Sequence, residues 1–278
     1  MKKISFLLIV IAFLTCSTTP VMGQSSEYGK QCQFYNMDKT VKAKIGTGED
    51  ATYQVNSLTA FWPVVLNGKE CPKLHEALCL WLTGKEDIKN LDKAIELMLY
   101  TDNDDVPFGE NDPYLIVDRL TDEIPLNRSL ESIELKRLDN RFAVFHLFSN
   151  LYYAGAAHGM YIHGYITYDT ELDKIVTLED VLIDPELIRP YILESINLEY
   201  QYTEEDLFMP EDDNLHIPSQ FYFENGLLHL VYQVYEIASF AQGEIDVPIF
   251  YPNDEKSPEY LTPYGKEVME ASYEKEIY

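Results

Sequence analysis

Basic residues are scarce in this chain: 21 lysines and arginines stand against 47 aspartates and glutamates in 278 residues, a formal net charge of −26. Such a chain repels polyanions, which excludes nucleic acid and anionic lipid as primary ligands. Long apolar runs are missing too. The longest, Ile4 to Leu14, falls well short of the about 20 residues that a membrane-spanning helix needs. There is no internal repeat, no low-complexity tract, and no Gly-x-Ser-x-Gly or His-Glu-x-x-His pattern to support a hydrolase. The acidic run Asp102-Asn103-Asp104-Asp105 lacks the alternate ligands and closing glutamate of a calcium loop.

Cysteine is sparse, and its placement depends on the N-terminus. Lys2 and Lys3, the apolar run, and a polar segment ending Val21-Met22-Gly23 read as a signal peptide over residues 1–23, cleaved before Gln24. Export to the periplasm or the exterior is the expectation. The alternative is a membrane-anchored lipoprotein modified at Cys16, although Thr15 is bulkier than the small residue usual before a lipidated cysteine. The mature cysteines are Cys32, Cys71 and Cys79, an odd number for an oxidising compartment. Cys71 and Cys79 flank a helical segment whose rise places them about 12 Å apart, beyond disulfide reach. Any disulfide must therefore use Cys32. Cys71, His75 and Cys79, with Cys32, could offer zinc ligands, but three of them spread over two helical turns fit one tetrahedral ion poorly. A disulfide plus a buried thiol is preferred, and no metal or cofactor is expected.

What the chain does have is centred on Tyr152-Tyr153-Ala154-Gly155-Ala156-Ala157-His158-Gly159-Met160-Tyr161, small residues between two strand-like runs. Ahead of it, Gln24 to Asn36 reads as a loose arm, Thr40 to Ile45 and Ala51 to Leu66 as strands with Pro63 at an edge or bulge, and Lys73 to Leu82 and Ile88 to Tyr100 as helices. A weaker helix is expected from Pro113, capped by Asp112, and a hairpin over Leu130 to Leu151. After it come an amphipathic helix from Pro185 to Tyr202, a hairpin turning at Asn225-Gly226, a bend over Tyr235 to Gly243 and a last strand, Ile245 to Phe250. The fold class is α+β, with antiparallel sheets, packed helices and two closely associated subdomains: residues 24–126, then 127–261, followed by a charged tail, 262–278.

Three segments resemble an extracytoplasmic family of unknown function that forms the lysozyme-sensing C-terminal part of RsiV-type anti-sigma factors and accompanies PdaC-type peptidoglycan deacetylases. Ala154-Gly155-Ala156-Ala157-His158-Gly159 is similar to the family's Gly-Gly-Ala-His-Gly turn, with Ala156 at the second glycine. Thr177-Leu178-Glu179-Asp180-Val181-Leu182 resembles its helix-opening segment, and Phe221-Tyr222-Phe223 with Asn225-Gly226-Leu227, continuing into Tyr235-Glu236-Ile237-Ala238, resembles its hairpin and bend. Residues 24–126 resemble more loosely the companion domain that precedes it. The resemblance implies an α+β fold at the cell envelope and a binding role, without anti-sigma activity.

The expected docking surface is formed by His158, Gly159, Tyr161, Tyr235 and Glu236. Among 21 tyrosines, those near turns offer the amphipathic rings that recognition sites favour. The expectation is therefore a non-catalytic binding protein for a basic partner, such as a lysozyme-like hydrolase, or for an envelope glycan. The alternative is a cell-wall hydrolase or deacetylase accessory using His158 with one of the chain's many carboxylates, Glu131, Glu236 and Glu244 among them.

Overall fold

The computed structural model describes residues 20–21, 32–210, 215–249 and 259–273. The proposed cleavage site, Cys16 and nearly all of the expected signal peptide lie outside these residues. Nine strands form one sheet: β1 (Pro20–Val21), β2 (Gln33–Ile45), β3 (Thr52–Leu66), β4 (Lys69–Glu70), β5 (Tyr114–Ile116), β6 (Leu126–Leu138), β7 (Phe142–Tyr152), β8 (Met160–Asp169) and β9 (Lys174–Ile175). Their order is β1-β2-β3-β6-β7-β8-β9, with β4 on β3 and β5 on β2; the β3–β6 pairing is parallel and the others are antiparallel. A second sheet of three antiparallel strands contains β10 (Gln220–Glu224), β11 (Leu227–Tyr232) and β12 (Ile245–Pro248). The protein is α+β.

Side-chain alternation decides what each face of the large sheet covers. On β3 the even positions Leu58, Ala60 and Trp62 are buried, and α1 (Pro72–Thr83) and α2 (Leu91–Leu99) pack over them. Pro72 opens α1 at a position where no backbone donor is lost, and Gly84 closes it with φ +63°. On β7, Ala143, Phe145 and Leu147 join this first core, whereas Phe142 and Val144 face the other way. The second core lies on that side. It is built from α3 (Leu178–Val181), α4 (Arg189–Tyr200), α5 (Pro263–Ala271) and the small sheet.

Side chains close the open edge of β8. Gln233 accepts from His163 N at 2.8 Å and donates to His163 O at 2.9 Å, while Gln220 accepts from Tyr165 N at 2.8 Å. Two glutamines thus occupy an edge that would otherwise pair with another strand, and they fasten the small sheet to the large one.

Several expectations are corrected. The segment after Pro113 is the exposed strand β5, because its backbone is taken up by β2 through pairs such as Lys44 with Leu115. Gln33 to Asn36 belongs to β2, and a bulge at Val64 of β3, beside Pro63, shifts the register there. The boundary drawn at 126/127 cuts the large sheet, since β3 pairs with β6 from Tyr53 opposite Leu126 onward. Packing divides the molecule into its two cores instead. Pro185 to Tyr202 is a short 3-10 turn followed by α4, and Leu198 on α4 is 61% exposed. The tail from Thr262, read as helical or frayed, is helical over α5 and joins the core: Thr262 caps it, Val268 and Met269 are buried, and Gly265 lies so close to Val181 that an added Cβ would meet the Val181 carbonyl oxygen.

Cys32, Cys71 and Cys79 are free thiols, so the expected disulfide is not formed. Cys79 is buried on the inner face of α1. Cys71 sits over the Pro63 and Val64 carbonyls beside His75 at 3.4 Å, and burial pushes its thiol up to about 12. His75 is committed as well. Its Nε2 donates to Pro63 O at 2.6 Å, because a carbonyl only accepts, so that nitrogen offers no lone pair to an ion.

Candidate functional site

The β7–β8 connection is built to hold one histidine at the surface. Gly155 takes φ +83°, Ala156 N donates to Tyr153 O at 3.0 Å, and Ala154 N is held by Asn127 at 2.9 Å. At Gly159 a Cβ would come within 3.0 Å of Asn150 Oδ1 and 3.1 Å of Leu151 O, so the bare backbone lets the chain re-enter the sheet. His158 stands exposed between these constraints. Its Nδ1 donates to Gly159 O at 3.0 Å, which leaves Nε2 to accept from the Tyr235 hydroxyl at 3.4 Å.

The ring partners come from a distant bend. Phe240 stacks on His158 with centroids 3.7 Å apart and planes at 16°, and Tyr161 meets Phe240 edge-on at 5.7 Å. Tyr235, 47% exposed, packs against Phe240 at 5.6 Å. His158, Gly159, Tyr161 and Tyr235 are thus brought together, with Phe240 at their centre. Gln242, two residues after Phe240, donates to Asp206 O at 3.4 Å, which ties the acidic turn Glu204–Asp206 to the segment that carries Phe240.

Glu236 does not join them. Tyr235 adopts a left-handed backbone, φ +66°, which directs its successor elsewhere: Glu236 binds His216 Nε2 at 2.6 Å and accepts from Gln233 N at 2.6 Å. Its carboxylate closes the bend. Among the described residues the partners of His158 are a phenyl face, a phenol and its neighbour's carbonyl, and no carboxylate is among them.

A different histidine does approach an acid. His146 Nε2 and His163 Nδ1 lie 2.8 Å apart, and His163 Nε2 is 3.3 Å from Glu244 Oε2 without hydrogen-bond alignment. Burial lowers His163 to about 4, and the neighbouring His146 works the same way. Burial raises Glu244 to about 7, helped by Asp246 and opposed by Lys136. Desolvation thus favours the neutral form of both members, and they make a polar seam between the sheets. The strand register carried a signal for this row: His146 faces Tyr165 and Phe148 faces His163 across β7 and β8, so both histidines share the face opposite the first core.

No curated protein matches the chain. Residues 179–251 match the family described as "Protein of unknown function (DUF3298)", a span that includes Tyr235, Glu236 and Phe240 and excludes the His158 turn. A DUF3298 family member from Bacteroides fragilis shares the fold at 15% identity, with a TM-score of 0.60 over 86% of this chain and 98% of that one. A DUF3298 family protein from Pseudomonas aeruginosa does so at 15% identity and a TM-score of 0.52, over 82% and 94%. In sequence over residues 179–251, and in fold over most of its length, this chain is similar to proteins of the DUF3298 family, whose function is unknown.

Proposed function

We propose that this is an exported, non-catalytic binding protein of the cell envelope, and that the rings of His158, Tyr161, Tyr235 and Phe240 dock a basic protein of the lysozyme-like hydrolase type. The observation that carries the reading is the gathering of four rings from two remote segments, those of His158 and Tyr235 exposed and those of Tyr161 and Phe240 half-buried, tied through Gln242 to the acidic turn Glu204–Asp206. Rigid aromatic area supplies contact, and surrounding negative charge steers a cationic partner. The likeness of residues 154–159 to a lysozyme-sensing turn supports the choice of partner, and the apolar run after Lys2 and Lys3 supports export. Non-catalysis is supported by the contacts of His158, which are spent on a ring, a phenol and a carbonyl.

The test is titration calorimetry with hen lysozyme in low and in moderate salt. Binding should weaken as salt rises, and Phe240→Ala should weaken it further by about tenfold, the loss of an aromatic anchor. Silence at both salt levels eliminates the lysozyme-type partner; binding of envelope glycan fragments, indifferent to salt, would move the reading to a glycan. Turnover of peptidoglycan fragments that is lost in His158→Ala would replace it with the enzymatic alternative.

A further inference from the structure

A second site lies on the first-core face of the large sheet. A cleft of about 230 Å³ opens where α1 ends and α2 gives way to the turn at 101–105, and its floor is β6 and β7. Glu131 of β6 lies in that floor, only 8% exposed. Trp81 Nε1 donates to its Oε2 at 3.0 Å and the Ser149 hydroxyl to its Oε1 at 2.5 Å. Neither donor carries charge, and among the described residues no cation pairs with this carboxyl. Its placement is nevertheless built. Gly164 of β8 leaves room for the Trp81 ring, which an added Cβ would meet at 2.6 Å, and Trp81 in turn holds Glu131.

Everything charged or polarised around the cleft, apart from one group, favours a positive occupant. Asp102 and Asp105 line its outer side, and the last turn of α1, Trp81 to Thr83, presents the negative pole of a helix to it. The exception is Lys85, the one basic residue in the lining among the described residues. Leu97 and Leu151 supply apolar wall. A hard metal ion takes six or more oxygens, and here one carboxyl is already hydrogen-bonded by an indole and a hydroxyl. An organic cation suits the mixture of a buried acid and aliphatic wall better.

We infer that this cleft binds a small organic cation, a primary ammonium or guanidinium on a short aliphatic stem, with its head against Glu131 and its stem along Leu97 and Leu151. Among the described residues its lining contains none of the four docking rings. It also has a proton signature, because burial raises Glu131 to about 7 while the Ser149 and Trp81 hydrogen bonds lower it only in part. A bound cation favours the carboxylate, so binding below pH 7 must expel a proton. The other titratable groups facing the cleft are Lys85 from the segment after α1 and Asp102 and Asp105 from the turn after α2; β6 and β7 add the non-titrating Ser129 and Ser149.

Calorimetry of the full chain with n-pentylamine, n-butylguanidine and the uncharged n-pentanol, at pH 6 and 8.5 in two buffers of different ionisation enthalpy, tests this. Both cations should bind about tenfold more tightly at pH 8.5, release close to one proton at pH 6, and outcompete the alcohol. Glu131→Gln, checked for an unchanged fold by circular dichroism, should abolish the proton release and weaken binding at least tenfold while leaving lysozyme binding as it was. Absence of heat with both cations at millimolar concentration overturns the inference. So does equal binding of pentanol, and so does cation binding that survives Glu131→Gln but falls in Asp102→Asn or Asp105→Asn, which would mark diffuse attraction to an acidic surface.

Discussion

The first core, under α1 and α2, and the second, among α3, α4, α5 and the small sheet, are finished in different ways. On β3 the inward row runs Trp62, Ala60, Leu58 and then changes to Asn56 and Gln54, both fully buried. Asn56 Nδ2 reaches the carbonyls of Met98, Leu99 and Thr101, and Gln54 Nε2 reaches Asn56 and Asn103. Buried amides at that end therefore close α2 and hold the turn that follows it, since a buried carbonyl left unpaired costs free energy. Glu131 lies beside the same turn in the cleft lining. Among the described residues the second core shows no such end. Ile188, Ile192 and Ile196 pack with Phe221, Phe223 and Leu230, and the buried Ser272 is absorbed locally, donating to Met269 O and accepting from Gly226 N. A core that carries polar groups inward at one end leaves that end open to a ligand, and a core sealed by hydrocarbon serves as support.

If that contrast is right, the largest effect of a single truncation belongs to the sealed core. Ile196→Ala should cost about 2–5 kcal/mol in urea unfolding, by lost transfer energy and the cavity left behind. A loss of less than about 1 kcal/mol would mean that this core relaxes easily and the contrast is wrong.

Glu131→Gln should act with the opposite sign. The folded-state value of Glu131, about 7, lies above the ordinary 4.5, so the native state holds this proton more tightly between those values and stability falls as pH rises from about 4.5 to about 7. The glutamine removes that slope, so at pH 8 it should stabilise the protein by up to about 3 kcal/mol, and at pH 4 by nearly nothing. Thermal melts of both proteins across this range check it; destabilisation at pH 8 would show that the carboxylate is well supported inside. The smallest effect belongs to neither core. Lys93→Ala breaks an exposed pair with Glu96 at 3.0 Å and should change stability by no more than about 0.5 kcal/mol in the same melts.

How much of this was readable in advance depended on range. The Asn225-Gly226 turn was, because both residues need positive φ, and they adopt +49° and +76° between β10 and β11. The helix over Lys73 to Leu82 was readable too, from a local apolar stripe, and it forms within α1. Asp112-Pro113 carried an equally good local signal and misled, because β2 offered the following residues a sheet edge. At the docking surface, His158 and Tyr235 stood out, one between small residues and the other in a bend. Phe240, the ring that joins them, had no pattern to mark it and is found only through stacking across the fold.

The chain's own order of residues determined its acidity, its strand and helix periods, its turn at Asn225-Gly226 and the small-residue connection that carries His158, since these rest on charge, alternation and backbone freedom within a few positions. Only the tertiary structure decided that Glu131 is a buried acid facing a cleft, that Glu236 turns to His216 and that the tail is part of a core. The reason is physical. Desolvation and pairing depend on which distant residues arrive within a few ångströms, and neighbours in sequence do not specify that.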